Sequence, residues 1–107
     1  MKGSGTPAVY NLSGFSDQAW YKVENDAIGM GMKVEWDATA MPYLWHWQEY
    51  GATKGYPWYG RHYNIGVEPF SSYPTSGLEE VIRNGSAGYI GPKEVKTCWI
   101  RTSPYEI

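Results

Sequence analysis

The sequence predicts an all-β fold, an antiparallel β-sandwich with one short helix near residues 77–84. Apolar and polar residues alternate with a period of two through most of the chain, which is the pattern of half-buried strands. Aromatic residues make up 17% of the sequence, with six Trp and ten Tyr, and these residue types favour strands. The 13 glycines supply tight turns between strands. At 107 residues the chain is long enough for a single domain, 1–107, in which the small, polar residues 1–7 predict a disordered tail.

Three strands are predicted in the first third of the chain. Residues 8–12 form a short first strand, and residues 19–24 alternate clearly enough to form a second. The cleanest alternation runs from 28 to 36, where one face is apolar and the other is interrupted by Gly29 and Gly31. Glycines inside a strand let another backbone or a ligand come close.

An antiparallel hairpin is predicted next, formed by strands 41–50 and 61–68. The connection between them, residues 51–60, is long, bounded by glycines and rich in aromatic residues. A hairpin with a loop of this length predicts a functional loop, because loops held by a rigid scaffold commonly carry binding residues.

The last third of the chain contains the predicted helix, with Ser76 as its N-cap and Gly85 as its C-terminal stop. Two final strands, 87–90 and 95–103, are predicted around a turn at 91–94. The prediction is therefore a meander of six or seven strands.

Composition and charge exclude several classes of function. The formal net charge is -2 and the sequence pI is about 5.6, so the basic footprint of a nucleic-acid-binding protein is missing. No apolar run reaches the length of about 18 residues that a membrane span needs. His46 and His62 are not in a metal-ligand spacing, and we predict no metal and no cofactor. The single Cys98 has no internal disulfide partner and is typical of a reducing, cytoplasmic location.

The hairpin carries the residues that could bind a ligand. Period two places His62, Asn64 and Glu68 on one face of strand 61–68. A solvated outer face would produce the same polar set, and a lined concavity is the alternative. Sugars suit the mixture, because a pyranose stacks its C–H face on Trp or Tyr and its hydroxyls need polar partners. The candidate site therefore consists of Glu68 as the catalytic residue, with Arg61, His62, Trp58, Trp45, His46 and Asn64 as substrate-binding residues.

The second half of the chain resembles the C-terminal part of the aldose 1-epimerases, the galactose mutarotase-like family. The resemblance rests on the Pro-led strand 42–47, on the segment 63–74 with Glu68 at its centre, and on the turn and strand 91–100. It implies a truncated form of that family's β-sandwich, whose concave face binds a monosaccharide. It also implies that Glu68 is the general base that removes the anomeric proton.

The sequence departs from the family at the general acid, because neither His46 nor His62 matches its catalytic histidine. A carbohydrate-binding domain with weak or no epimerase activity is therefore the leading hypothesis. An active epimerase, with its acid supplied by His46, His62 or a partner chain, is the first alternative. A non-enzymatic protein-interaction domain is the second. A truncated sandwich leaves strand edges uncovered, so we also expect a homodimer, with a monosaccharide or similar small molecule as ligand.

Overall fold

The structure, a computed structural model, describes residues 8–107, so the tail predicted at residues 1–7 lies outside the described residues. Strands dominate, and one short helix interrupts them. In chain order the elements are β1 Ala8–Leu12, β2 Gln18–Asn25, β3 Met30–Asp37, β4 Tyr43–Tyr50, β5 Tyr63–Phe70, α1 Leu78–Arg83 and β6 Ile100–Glu106.

The strands form two antiparallel sheets of three strands each, with the orders β1-β4-β5 and β2-β3-β6. The predicted all-β class with one short helix is thereby confirmed. The predicted meander is wrong, because β1 pairs with β4 and β6 pairs with β3. Among the strands of residues 8–107, only the β2–β3 and β4–β5 hairpins join strands that follow one another in the chain. Alternation defines a strand locally, but it does not say which strand lies beside it.

A small core joins the two sheets at one end. The fully buried indole of Trp36 in β3 packs with Ala19 of β2 and Leu44 of β4. The Trp36 indole N–H donates to the carbonyl of Met41 at 2.9 Å, which satisfies its only polar group. Nearby, the hydroxyl of Tyr21 in β2 donates to the backbone carbonyl of Val67 in β5 at 2.9 Å, so a hydrogen bond also links the sheets.

The strand predicted at 87–90 is absent, and the strand predicted at 95–103 begins only at Ile100, as β6. The register explains the late start. Ile100 lies opposite Trp36, and the amide of Asp37, the last residue of β3, donates to the carbonyl of Trp99 at 3.1 Å, so residues before 99 lie beyond the end of β3. Residues 88–102 are exposed throughout. The turn at 91–94 is present, with the amide of Glu94 donating to the carbonyl of Gly91 at 3.1 Å.

The helix α1 has six residues and lies within the predicted range. Its N-cap is Gly77 with no side-chain hydrogen bond, so the prediction of Ser76 as the cap is wrong. Among residues 8–107, no helix has the length and apolar character that would let it cross a membrane. β5 continues through Pro69 to Phe70, which is allowed because β5 is an edge strand and its free side needs no N–H donor.

Candidate functional site

The hairpin β4–β5 presents its aromatic and polar residues on the side facing away from the second sheet. Leu44 belongs to the core between the sheets, so residues that alternate with Leu44 point outward. The register places Trp45 opposite Glu68 and Trp47 opposite Gly66. We term this side the aromatic face; its strand residues are Val9 and Asn11 of β1, Tyr43, Trp45, Trp47 and Glu49 of β4, and Asn64, Gly66, Glu68 and Phe70 of β5.

Aromatic rings pack against each other at the Tyr43 end of this face. The indole of Trp45 and the ring of Phe70 are stacked with centroids 3.6 Å apart and planes within 1°. The Trp45 N–H donates to the carbonyl of Ser72 at 2.9 Å, which holds the indole in place. One strand step further, Tyr43 packs on Tyr73 with centroids 4.6 Å apart. These contacts make flat, half-buried surfaces along the strand.

At the other end, the loop 51–62 folds back over the sheet. The amide of Gly51 donates to the carbonyl of His62 at 2.6 Å and closes the base of the loop. Trp58 packs on Trp47 with centroids 5.5 Å apart, and His62 meets the Trp58 ring edge-on at 4.6 Å. The loop therefore adds an indole and an imidazole to the aromatic face.

A buried carboxylate fixes this loop. Glu49, only 1% exposed, accepts a 2.8 Å hydrogen bond from the Thr53 amide and a 2.7 Å hydrogen bond from its hydroxyl. These bonds, the amide first, hold the pKa of Glu49 below its ordinary value, and positive charge on His62 acts in the same direction. Glu49 is therefore stabilised as a carboxylate, and its hydrogen bonds to Thr53 anchor the loop to β4.

Glu68 lies in the middle of the face, opposite Trp45 in the register, and its side chain extends along β5 towards Gly66. Its carboxylate covers Gly66: Oε1 lies 2.5 Å from the point where a Cβ on Gly66 would stand. The Cε3 atom of Trp47 lies 3.2 Å from the same point, so carboxylate and indole flank one small gap. Asn64 lies opposite Glu49 on this face, and its Oδ1 is buried without a hydrogen-bond partner in the described part of the chain. The face thus combines flat rings with hydrogen-bond acceptors.

The structure brings five of the seven predicted site residues to this face: Glu68, Trp45, Trp58, His62 and Asn64. His46 instead lies on the opposite side of β4, facing the second sheet, with its ring 6.1 Å from that of Tyr10. Arg61 is exposed in the loop beside the face, and its amide donates to the carbonyl of Trp58.

The two histidines are poorly placed to act together with Glu68. His46 is on the other side of the sheet. His62 precedes Glu68 by six positions, so their Cα atoms are about 20 Å apart along an extended chain. One sugar ring cannot contact both side chains in the way that an acid–base pair requires.

Residues on or beside the face that were not singled out as site residues from the sequence include Trp47, Glu49, Phe70 and Tyr73. Trp47 shares the alternation of Trp45 and could have been included on that ground. Glu49 gives no local signal, because its burial depends on Thr53 folding back from the loop. In the described residues, no three His, Cys, Asp or Glu side chains come together as a metal site requires.

Comparisons with protein-family models, curated proteins and solved structures find no match for this chain.

Proposed function

We propose that the protein binds a carbohydrate on its aromatic face. The observation that carries the proposal is the position of the Glu68 carboxylate over Gly66, beside the indole of Trp47. The apolar face of a pyranose stacks on an indole, while its hydroxyls donate to carboxylate or amide oxygens beside the ring.

Binding explains this arrangement better than catalysis does. Epimerisation in the mutarotase-like scheme needs a base and an acid on either side of one ring, and Glu68 has no imidazole near enough for that role within residues 8–107. Polarimetry separates the two functions. The binding account expects mutarotation of glucose and galactose at the uncatalysed rate for both the wild type and Glu68→Gln. Acceleration that Glu68→Gln abolishes would instead establish the epimerase alternative.

Isothermal titration calorimetry tests the binding proposal directly. The wild type is titrated with neutral mono- and oligosaccharides, and Glu68→Gln is compared with Glu106→Gln, a matched change on the second sheet. We expect Glu68→Gln to weaken binding about threefold or more, because an amide oxygen accepts a weaker hydrogen bond than a carboxylate does. Equal affinities for the two variants, or no heat with any saccharide, would refute the proposal; the latter would favour the protein-interaction alternative.

Self-association is a separate proposal, and the exposed segment 88–102 supports it. The segment holds large apolar side chains that touch little of the chain, including Tyr89 at 70% exposure and Val95 at 84%. The segment ends in β6, which is an edge strand of its sheet. Exposed apolar groups next to a free strand edge are features of surfaces that pair with another chain.

A further inference from the structure

The aromatic face is longer than one sugar. Tyr43, Trp45 and Trp47 lie at alternate positions of one strand, so their Cα atoms span about 14 Å. Trp58 extends the row past Trp47, towards His62, the residue before β5. Rings are therefore available along the whole strand, whereas a monosaccharide stacked at Glu68 would use only the central ones.

One end of this row opens into a cavity of about 440 Å³. Tyr43 and Tyr73 form its wall next to the row, and Asn11 lies both in its lining and opposite Trp45 on the aromatic face. Ser13, from the loop after β1, adds a hydroxyl. The volume is within the range of small-molecule sites, and the mixture of phenol, amide and hydroxyl groups matches the end of a sugar chain.

The charge of the aromatic face favours a neutral ligand over an acidic one. Among the strand residues of the aromatic face, all of which belong to the described part of the chain, none is basic. Glu68 and Glu49 are acidic, and Glu49 is already bonded to Thr53. An acidic sugar would bring its carboxylate near Glu68 with no strand residue to compensate, which is unfavourable.

We propose that the ligand is a neutral oligosaccharide chain that lies along β4 and places one end in the cavity between Tyr43 and Tyr73. This inference rests on the proposed carbohydrate-binding function and adds the length, charge class and orientation of the ligand. The central rings and Glu68 hold one sugar unit, while Trp58 and the cavity hold the units on either side.

The test is a chain-length series. Cello-, xylo-, malto- and chito-oligosaccharides of one to six units are titrated into the full chain by calorimetry, with polygalacturonate as the acidic probe. We expect one neutral series to gain about tenfold or more in affinity from one unit to six, because each added ring contact contributes about two- to twelvefold. Polygalacturonate is expected not to bind.

Two variants locate the ends of the chain. Trp58→Ala and Tyr73→Ala each remove one terminal ring, and Trp20→Ala removes an exposed ring from β2 of the second sheet. Each end variant should weaken binding of the six-unit sugar about two- to twelvefold and leave the one-unit sugar unchanged, while Trp20→Ala changes neither. Circular dichroism melts verify that each variant folds. Because Tyr73 is already 37% exposed, Tyr73→Ala is expected to disturb folding less than Trp58→Ala does.

The outcomes separate this inference from the proposed function. A monosaccharide that binds as tightly as the six-unit sugar, or end variants that match the wild type, would overturn the extended ligand and leave sugar binding in place. Binding of polygalacturonate alone would overturn the neutral class. No binding at any length would refute the proposed function itself.

Discussion

Replacing Gly66 by alanine fills the gap that the Glu68 carboxylate now occupies. The new Cβ would stand 2.5 Å from Glu68 Oε1 and 3.2 Å from Trp47 Cε3, where ordinary contacts begin at 3.4 Å. The carboxylate ends a flexible side chain and must swing away, whereas the indole needs to give by only a few tenths of an ångström. The substitution therefore displaces the proposed acceptor without touching the core around Trp36.

The expected effects on folding and on binding have different magnitudes. Gly66 does not have a positive φ, so alanine fits its backbone and gains about 0.4–1 kcal/mol by restricting the unfolded chain. The tight contact with Trp47 offsets part of that gain, and we expect the free energy of unfolding to change by less than about 1 kcal/mol. Binding loses a hydrogen bond to a charged group, about 1.5 kcal/mol or more, which is about tenfold in Kd.

Urea denaturation measures the first quantity and calorimetric titration with the best saccharide measures the second. Gly88→Ala is the matched control, because its Cβ would meet only Ser71 atoms at 3.8 and 3.9 Å. We expect Gly66→Ala to bind about tenfold more weakly than Gly88→Ala at similar stability. Equal Kd values for the two variants would refute the role assigned to the carboxylate over Gly66.

Three further predictions concern other parts of the molecule. The pKa of Glu49 is lowered on folding, so ionised Glu49 stabilises the folded protein above about pH 4.3, and this stabilisation is lost as the pH falls through the pKa of the folded state. In urea melts, the free energy of unfolding should therefore depend less on acid pH for Glu49→Gln than for the exposed Glu79→Gln. Identical slopes for the two variants would contradict the role of Glu49 in anchoring the loop. The hydrogen bond to Glu24 raises the pKa of Tyr105 to about 12, so this bond stabilises the folded protein below about pH 10, and the stabilisation is lost as the pH rises towards 12. Ultraviolet titration should show the Tyr105 phenol ionising at lower pH in Glu24→Gln than in the wild type. An unchanged titration would argue against the hydrogen bond. Sedimentation should detect a dimer that Val95→Asp weakens, and a monomer at every concentration would exclude self-association.

The sequence predicts the strands and their faces well, because side-chain alternation is a local property. The first strand is found at Ala8–Leu12 as predicted, and the hairpin places Asn64 and Glu68 on one face as the period of two requires. Alternation also separates Trp45 from His46, but it cannot say which of the two faces the core. That choice depends on Leu44 meeting Trp36 from the other sheet.

Non-local contacts account for what the sequence did not predict. Pairing of β1 with β4 and of β6 with β3 joins segments far apart in the chain, and the end of β3 determines where β6 can begin. The contact of Trp58 with Trp47 requires the loop to fold back through Thr53 and the buried Glu49. Neither the residue types nor their spacing in the sequence predicts that the loop folds back over the sheet.

The indole N–H resonances of the six tryptophans provide the most direct test of sugar binding on the aromatic face. In a ¹H–¹⁵N correlation spectrum each gives a separate signal, assigned by single Trp→Phe variants. On titration with the tightest-binding oligosaccharide, the signals of Trp47 and Trp58 should shift in proportion to saturation, while those of Trp20 and Trp99, exposed elsewhere, stay fixed. Shifts confined to Trp20 or Trp99, or no shift in any indole at saturating sugar, would contradict the account.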